Sequence, residues 1–283
     1  MLAIIGGTGI YQFDGLEVIT QHQISTPFGE PSGEIIEGKF GDLTLYFLPR
    51  HGAQHQLLPH EVNYRANIWA LKSLGVTQII GLSATGSLQQ EIAPGDLSLP
   101  SQYFDFIKDQ REKSFFGNGI AAHVSTAQPT CQSLSDNIAL AANGLNMTLH
   151  RDKTYACVDG PRLGTRAESL FLKNAVQADL VGMTNVPEVF LAREAQICYV
   201  TIAIATDYDC WQDDPAHHVT VAQVISRYGA SLQQAKSLVS HYLTNNHQSN
   251  SECSCRTSLA CSLMTPIESL SSENKALFEL LSS

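Results

Sequence analysis

Residues 199–211 read YVTIAIATDYDCW. From Tyr199 to Ala205 the run is apolar and rich in Val, Ile and Thr, the composition of a strand buried on both faces. It leads directly into two aspartates one residue apart, Asp207 and Asp209. Carboxylates at the end of a buried strand are costly unless a metal, a proton, an arginine or a ligand offsets the burial. The same pattern, an apolar strand and then a polar cluster, recurs along the chain. It is found at Thr8 after LAIIGG, Arg50-His51 after LTLYFLP, Ser83-Ala84 after VTQIIGL and Met183-Thr184 after DLVG. Between these strands lie helical periodicities: 61–75, ending at Gly75; TRAESLFLKNAVQAD; the stretch after Pro187; and the long VTVAQVISRYGASLQQAKSLVSHYL. The alternation predicts an α/β fold, a single domain with a central mixed or largely parallel sheet flanked by helices. Ligands in open α/β sheets bind at the carboxyl ends of strands, so the five clusters are expected to converge on one site.

The bulk composition is that of an ordinary globular chain: 283 residues, 43% apolar and 16% charged. No apolar run approaches the roughly 18–20 residues that cross a bilayer. The N-terminal MLAIIGG has no basic region ahead of its apolar residues, so it does not read as a signal peptide, and a cytoplasmic enzyme is expected. A formal net charge of -10 argues against nucleic acid as a partner, since that needs a basic footprint. Residues 1–243 are read as the catalytic domain. Residues 244–283 are read as a polar break, TNNHQSNSECSCR, followed by an amphipathic helical tail.

Seven cysteines divide into Cys131, Cys157, Cys198 and Cys210 in the body and Cys253, Cys255 and Cys261 in the tail. In a mesophilic cytosol these are reduced thiols. The Cys253-Ser254-Cys255 stretch lacks the paired C-x-x-C spacing of a structural zinc site, and HGAQH (51–55) lacks a third ligand at metal spacing, so no metal is expected.

GGTG at 6–9 is not a full dinucleotide fingerprint, because Gln12 stands at the third glycine position. Such a turn still presents backbone N–H groups, and Thr8 adds a hydroxyl, which suits an oxyanion as well as it suits a plain tight turn. Arg50 offers a bidentate fork to phosphate and His51 a further donor; a surface salt bridge is the competing reading. Ser83 lies in LSATGS, not in a nucleophile elbow, and no cysteine has a catalytic setting. With metal and covalent chemistry set aside, an anion cradle beside two carboxylates remains.

In order, GGTGIY, TPFGEPSG, RHGAQH, HEVNYRANIWALKSLG, SATGSL, EIAPGDL, GPRLGTRAES, GMTNVPEVFLAREA and ATDYDCW together resemble the 5′-methylthioadenosine phosphorylases of the trimeric purine nucleoside phosphorylase family. The match runs from about residue 3 to about residue 240 and is weaker beyond about 245. The resemblance implies that Thr8, Arg50, His51, Ser83, Ala84 and Thr184 bind phosphate, and that Met183 lies beneath the ribose. It implies that Asp207 and Asp209 face the purine and that Val221, Val224 and Ile225 wall the 5′-alkylthio pocket. It further implies no cofactor, inorganic phosphate as co-substrate, and a trimer or dimer of trimers. On this reading Asp207 is the catalytic general acid at N7, its pKa raised by burial and by Asp209, and it selects a 6-aminopurine. Leu163 and Gly164, both expected at the substrate, depart from the family's aromatic and serine. That leaves a 6-oxopurine nucleoside or methylthioinosine phosphorylase as the alternative. Archaeal members also suggest a Cys131–Cys198 bond, which the sequence leaves open beside reduced thiols.

Overall fold

The computed structural model describes residues 1–7, 15–212, 221–248 and 252–283; the side chains of 221–228 and 230 lie outside that description. The strands are β1 (Leu2–Gly6), β2 (Leu16–His22), β3 (Ile35–Phe40), β4 (Leu43–Pro49), β5 (Gln78–Ser87), β6 (Leu97–Phe106), β7 (Leu149–Val158), β8 (Leu180–Gly182) and β9 (Cys198–Asp207). The helices are α1 (Tyr64–Ser73), α2 (Gln132–Gly144), α3 (Arg166–Asn174), α4 (Asn185–Glu194), α5 (Val221–Asn245) and α6 (Ser272–Ser282).

The strands form one mixed sheet in the order β2-β3-β4-β1-β5-β8-β7-β6-β9, and β9 also pairs with β5. That extra pairing closes β5-β8-β7-β6-β9 on itself, so half of the sheet curls into a small barrel. The strands β1, β4, β5 and β9 run parallel and share a carboxyl end. All ten residues of β9 and all five of β1 are buried, as their unbroken apolar runs predict. One core layer packs α1, α4 and α6 on the sheet through Ile68, Leu71, Val189, Leu191 and Leu281. The other packs α2 and α5 through Leu134, Ile138, Leu238, Val239 and Tyr242.

Local signals explain several boundaries. Asn63 caps α1 by accepting from the Ala66 amide. Thr165 and Glu168 form a reciprocal capping box at the start of α3. The last helix is shorter than the pattern over 262–283 suggests. It starts at Ser272, capped by Ser271, because Pro266 and a 3-10 turn over Ile267–Ser269 precede it. The tail lies on the body: Lys72 Nζ donates to the Ser283 carbonyl at 2.7 Å, and Arg256 Nη1 donates to the Gln196 carbonyl at 2.6 Å.

Candidate active site

A cleft of about 850 Å³ opens at the carboxyl ends of the parallel strands. It is lined by Arg50, His51, Ser83, Ala84, Leu163, Gly164, Met183, Thr184, Asp207 and Asp209. Every site residue expected from the sequence that falls among the described side chains therefore borders one cavity. Thr8 lies outside the described residues. Val221, Val224 and Ile225 sit in the first turns of α5, and their side chains are likewise outside.

The clusters do not all arrive in the way the strand pattern suggested. Ser83 and Ala84 are not beyond the end of their strand, since β5 continues to Ser87. The short β8 runs antiparallel to β5, pairing Val181 with Gly86 and Leu180 with Ser87. Continuing that register sets Thr184 opposite Ser83, and the two hydroxyl oxygens lie 3.3 Å apart. A strand of opposite direction thus supplies one wall of the anion cradle from the side.

Arg50 follows β4 and is only 2% exposed. Its Nε and Nη2 donate to the two Glu188 carboxylate oxygens at 2.6 and 2.7 Å, and Nη1 donates to the Leu82 carbonyl at 2.8 Å. The ion pair that the residue type allowed is therefore buried and bidentate, with a helix partner from α4. Burial alone would lower the guanidinium pKa, but the charge and hydrogen bonds of Glu188 outweigh it and hold Arg50 protonated. Three of its five N–H groups are used, which leaves two for an oxyanion in the cleft. Glu188 is in turn fixed by the Tyr199 hydroxyl at 2.7 Å, and Asn185 donates to that hydroxyl and to Thr201, each at 2.8 Å.

His51 contributes differently from expectation. Burial, then the charge of Arg50, lowers its pKa to about 4, so the ring is neutral near neutral pH. Its Nδ1 lies 2.9 Å from the Leu57 carbonyl, which only accepts, so Nδ1 carries the proton. That leaves Nε2 as an acceptor. A neutral His51 with this tautomer accepts a hydrogen bond at Nε2 and cannot donate one there.

At the other end of the cleft, Asp207 is 7% exposed. The Thr206 hydroxyl donates to its Oδ2 at 2.6 Å and the Asp209 amide to its Oδ1 at 2.7 Å. The amide reaches back because Asp209 adopts a left-handed conformation, φ 51°, which Asp tolerates better than most residues. Burial raises the Asp209 carboxyl above its ordinary value; Ser169 opposes the rise, and the charge of Asp207 adds to it. A register shift opposite Thr85 and Gly86 skips Thr206, so Asp207 pairs with Gly86. Such a bulge re-aims the side chain that follows it. Gly86 gives these groups room: a Cβ would stand 3.1 Å from the Asp209 Cβ and 3.2 Å from Asp207 Oδ1, so both would have to shift by tenths of an ångström.

Between the two ends, Met183 is positioned by two features that sequence reasoning passed over. The buried Arg111 donates to the carbonyls of Met183 and Val186, both at 2.8 Å, and to that of Asp159 at 2.9 Å. It thereby ties the β8–α4 junction to the loop after β7. Gly160, at φ +69°, packs directly on the Met183 side chain. Glu188, Arg111 and Phe106, whose ring lines the cleft, are the residues the sequence reading missed. The signal for Glu188 was present in its place: it follows Met183-Thr184, the cluster after β8, by four residues. Leu163 lies at the rim and is 43% exposed, and a Cβ on Gly164 would meet only Glu168 Oε2, at 4.0 Å.

The chemistry available is an oxyanion held by Arg50, His51, Ser83 and Thr184, facing a carboxyl that accepts from, or protonates, whatever lies across the cleft. Residues 1–244 match the family model described as the phosphorylase superfamily. S-methyl-5′-thioadenosine phosphorylase from Geobacter sulfurreducens is 41% identical over 281 residues, covering 99% of this chain and 97% of that protein. The crystal structure of a methylthioadenosine phosphorylase from an antarctic soil metagenomic library superposes with a TM-score of 0.92 at 41% identity, covering 99% and 98% of the two chains. Methylthioadenosine phosphorylase from Schistosoma mansoni in complex with adenine superposes with a TM-score of 0.86 at 34% identity, covering 93% of this chain and 98% of that one. The chain belongs to the phosphorylase superfamily, and within it to the 5′-methylthioadenosine phosphorylases.

Proposed function

We propose that the protein cleaves S-methyl-5′-thioadenosine with inorganic phosphate, giving adenine and 5-methylthioribose 1-phosphate. The observation that carries this is the spacing along β5. Ser83, in the anion cradle, and Gly86, which pairs with Asp207, are three residues apart. At about 3.3 Å per residue this is about 10 Å, the span from a phosphate below C1′ to the far edge of a purine. The relatives are named for the same reaction, which supports the reading.

Cleavage of the N-glycosidic bond builds positive charge on the ribosyl ring and negative charge on the base. A phosphate dianion held by Arg50, Ser83, Thr184, the Ala84 backbone and Nε2 of His51 stabilises that cation and attacks C1′. Thr8 joins this set on the strength of the family match. Met183 underlies the ribose. Asp207 delivers a proton to N7 as the base departs and accepts from the 6-amino group, with Asp209 beside it. Leu163 and Gly164 border the base side, and the family match assigns Val221, Val224 and Ile225 to the methylthio group. The reaction needs no further cofactor.

The working unit is a homotrimer or a dimer of trimers. The large apolar side chains exposed near the cleft, Leu163 and Phe171, support a subunit border there, which light scattering on the purified protein tests. A cytoplasmic location accords with seven unbridged thiols. The activity is tested by phosphorolysis of methylthioadenosine, methylthioinosine, adenosine and inosine side by side. Release of adenine from methylthioadenosine as the best reaction is expected. Preferential cleavage of the 6-oxopurine nucleosides would replace this reading with that of a methylthioinosine or inosine phosphorylase.

A further inference from the structure

The structure gathers four cysteines that are far apart in the sequence. The sulfur atoms of Cys131, Cys198, Cys253 and Cys255 all lie within 4.8 Å of one another. Cys131 caps α2, Cys198 opens β9, and Cys253 and Cys255 flank Ser254 at a 3-10 turn over Ser254–Thr257. Three are buried and Cys253 is half-buried. None is bridged, although the Cys131 and Cys253 sulfurs are only 3.6 Å apart.

A tetrahedral ion with metal–sulfur bonds of about 2.3 Å places its four sulfurs about 3.8 Å from one another. The Cys131–Cys253 separation of 3.6 Å is close to that edge length and none of the others exceeds 4.8 Å, so sulfur shifts of at most about 1 Å would complete the tetrahedron. The surroundings suit thiolates. Nη1 of Arg193 donates to the Cys255 sulfur at 3.1 Å. The Tyr242 hydroxyl, buried and without a hydrogen-bond partner among the described residues, lies within electrostatic reach of Cys131 and Cys198. Donors of this kind are what orient and neutralise a thiolate site.

We propose that Cys131, Cys198, Cys253 and Cys255 form a structural tetrathiolate site for a thiophilic divalent cation, zinc by its chemistry. An all-sulfur tetrahedral set selects zinc over calcium or magnesium. Four protein ligands leave no open coordination position, so the ion is structural and takes no part in the reaction. Binding exchanges the four thiol protons for one divalent ion, releases those protons to solvent and oxidises nothing. The resulting net charge of −2 is partly offset by Arg193. The ion would staple the tail to α2 and to β9, whose far end carries Asp207. The sequence hid this because only Cys253 and Cys255 are neighbours, and C-x-C alone lacks the spacing of a zinc motif.

The test uses the full chain, produced with added zinc, purified under reducing conditions and desalted. Metal analysis is expected to find about one zinc per chain, with Cys255→Ser and Cys253→Ser each reducing occupancy at least about tenfold. The exposed Cys261, outside the cluster, serves as control: Cys261→Ser keeps the metal. Should a serine variant fail to fold, the unmodified protein decides. Titration with a mercurial thiol reagent releases zinc in step with thiol modification, and cobalt(II) reconstitution gives the sulfur-to-metal charge-transfer absorption of a tetrathiolate. Zinc no higher than in the two serine variants overturns the proposal. Non-reducing peptide mapping that finds these cysteines paired as disulfides overturns it equally.

Discussion

Replacing Asp207 by Asn changes one oxygen into an amide nitrogen, and the surrounding bonds dictate which one. The Asp209 amide donates to Oδ1, so the carbonyl oxygen of Asn must occupy that place and Nδ2 must take the place of Oδ2. There it meets the Thr206 hydroxyl, which already has a second acceptor in the Thr85 carbonyl at 3.2 Å. The hydroxyl can donate to Thr85 and accept from the new amide, so the fold should lose less than about 1 kcal/mol. The consequence falls on the substrate. A 6-aminopurine loses a charged acceptor at a site that is 7% exposed, which costs about 1.5–3 kcal/mol. A 6-oxopurine gains a donor where it met a carboxylate, a gain of the same order. The two effects together make about 3–6 kcal/mol, or about 10²–10⁴ in the ratio of kcat/KM values. The assay is kcat/KM for methylthioadenosine and methylthioinosine at saturating phosphate, with a denaturation curve to confirm the fold. A shift in the ratio of less than about tenfold, with the fold intact, would refute the assignment of Asp207 as reader of the base.

Three further outcomes follow from the same geometry. Glu188→Ala leaves the Arg50 guanidinium buried without its counter-charge, so stability to denaturant should fall by about 3–5 kcal/mol. Saturating phosphate should restore part of the loss, because the oxyanion replaces the missing carboxylate; equal losses with and without phosphate would place the anion elsewhere. His51 is held neutral with a pKa of about 4 against 6.5 for an unperturbed ring. The unfolded chain therefore binds the extra proton as pH falls below about 6.5, and stability drops by about 3 kcal/mol by pH 4. His51→Gln should flatten that slope and leave stability near pH 8 little changed, as denaturant melts across this range would read. Gly160→Ala places a methyl group against the Met183 side chain at a positive φ, so the KM for nucleoside should rise several-fold while the KM for phosphate holds; unchanged nucleoside kinetics would remove Met183 from beneath the ribose.

The sequence alone specified the strands that are buried on both faces and the polar clusters that end them. β1 and β9 were legible because a run such as LAIIG or CYVTIAIATD is favourable only where both faces are covered. The helices α1, α3 and α5 were legible from their period. Other strands left no such trace. β7, LHRDKTYACV, is only partly buried, and β2 is an exposed edge whose Val18 and Ile19 face outward, so neither follows a simple apolar pattern.

What tertiary structure decided is who meets whom. Composition made Arg50 a candidate anion ligand, but only the packing of α4 against β5 and β9 gave it Glu188 as a buried partner and so limited it to two remaining donors. The direction of β8, which is too short to announce itself, set Thr184 opposite Ser83. The closure of β9 onto β5 with one skipped residue turned Asp207 toward the cleft, across from a glycine that leaves room for it. Cys131 and Cys198 became neighbours of Cys253 and Cys255 only because the tail folds back over the start of β9. Residue type and periodicity are local properties that a linear reading recovers. Register, strand direction and long-range contacts arise from the simultaneous packing of every element, and these convert a set of suitable side chains into a site.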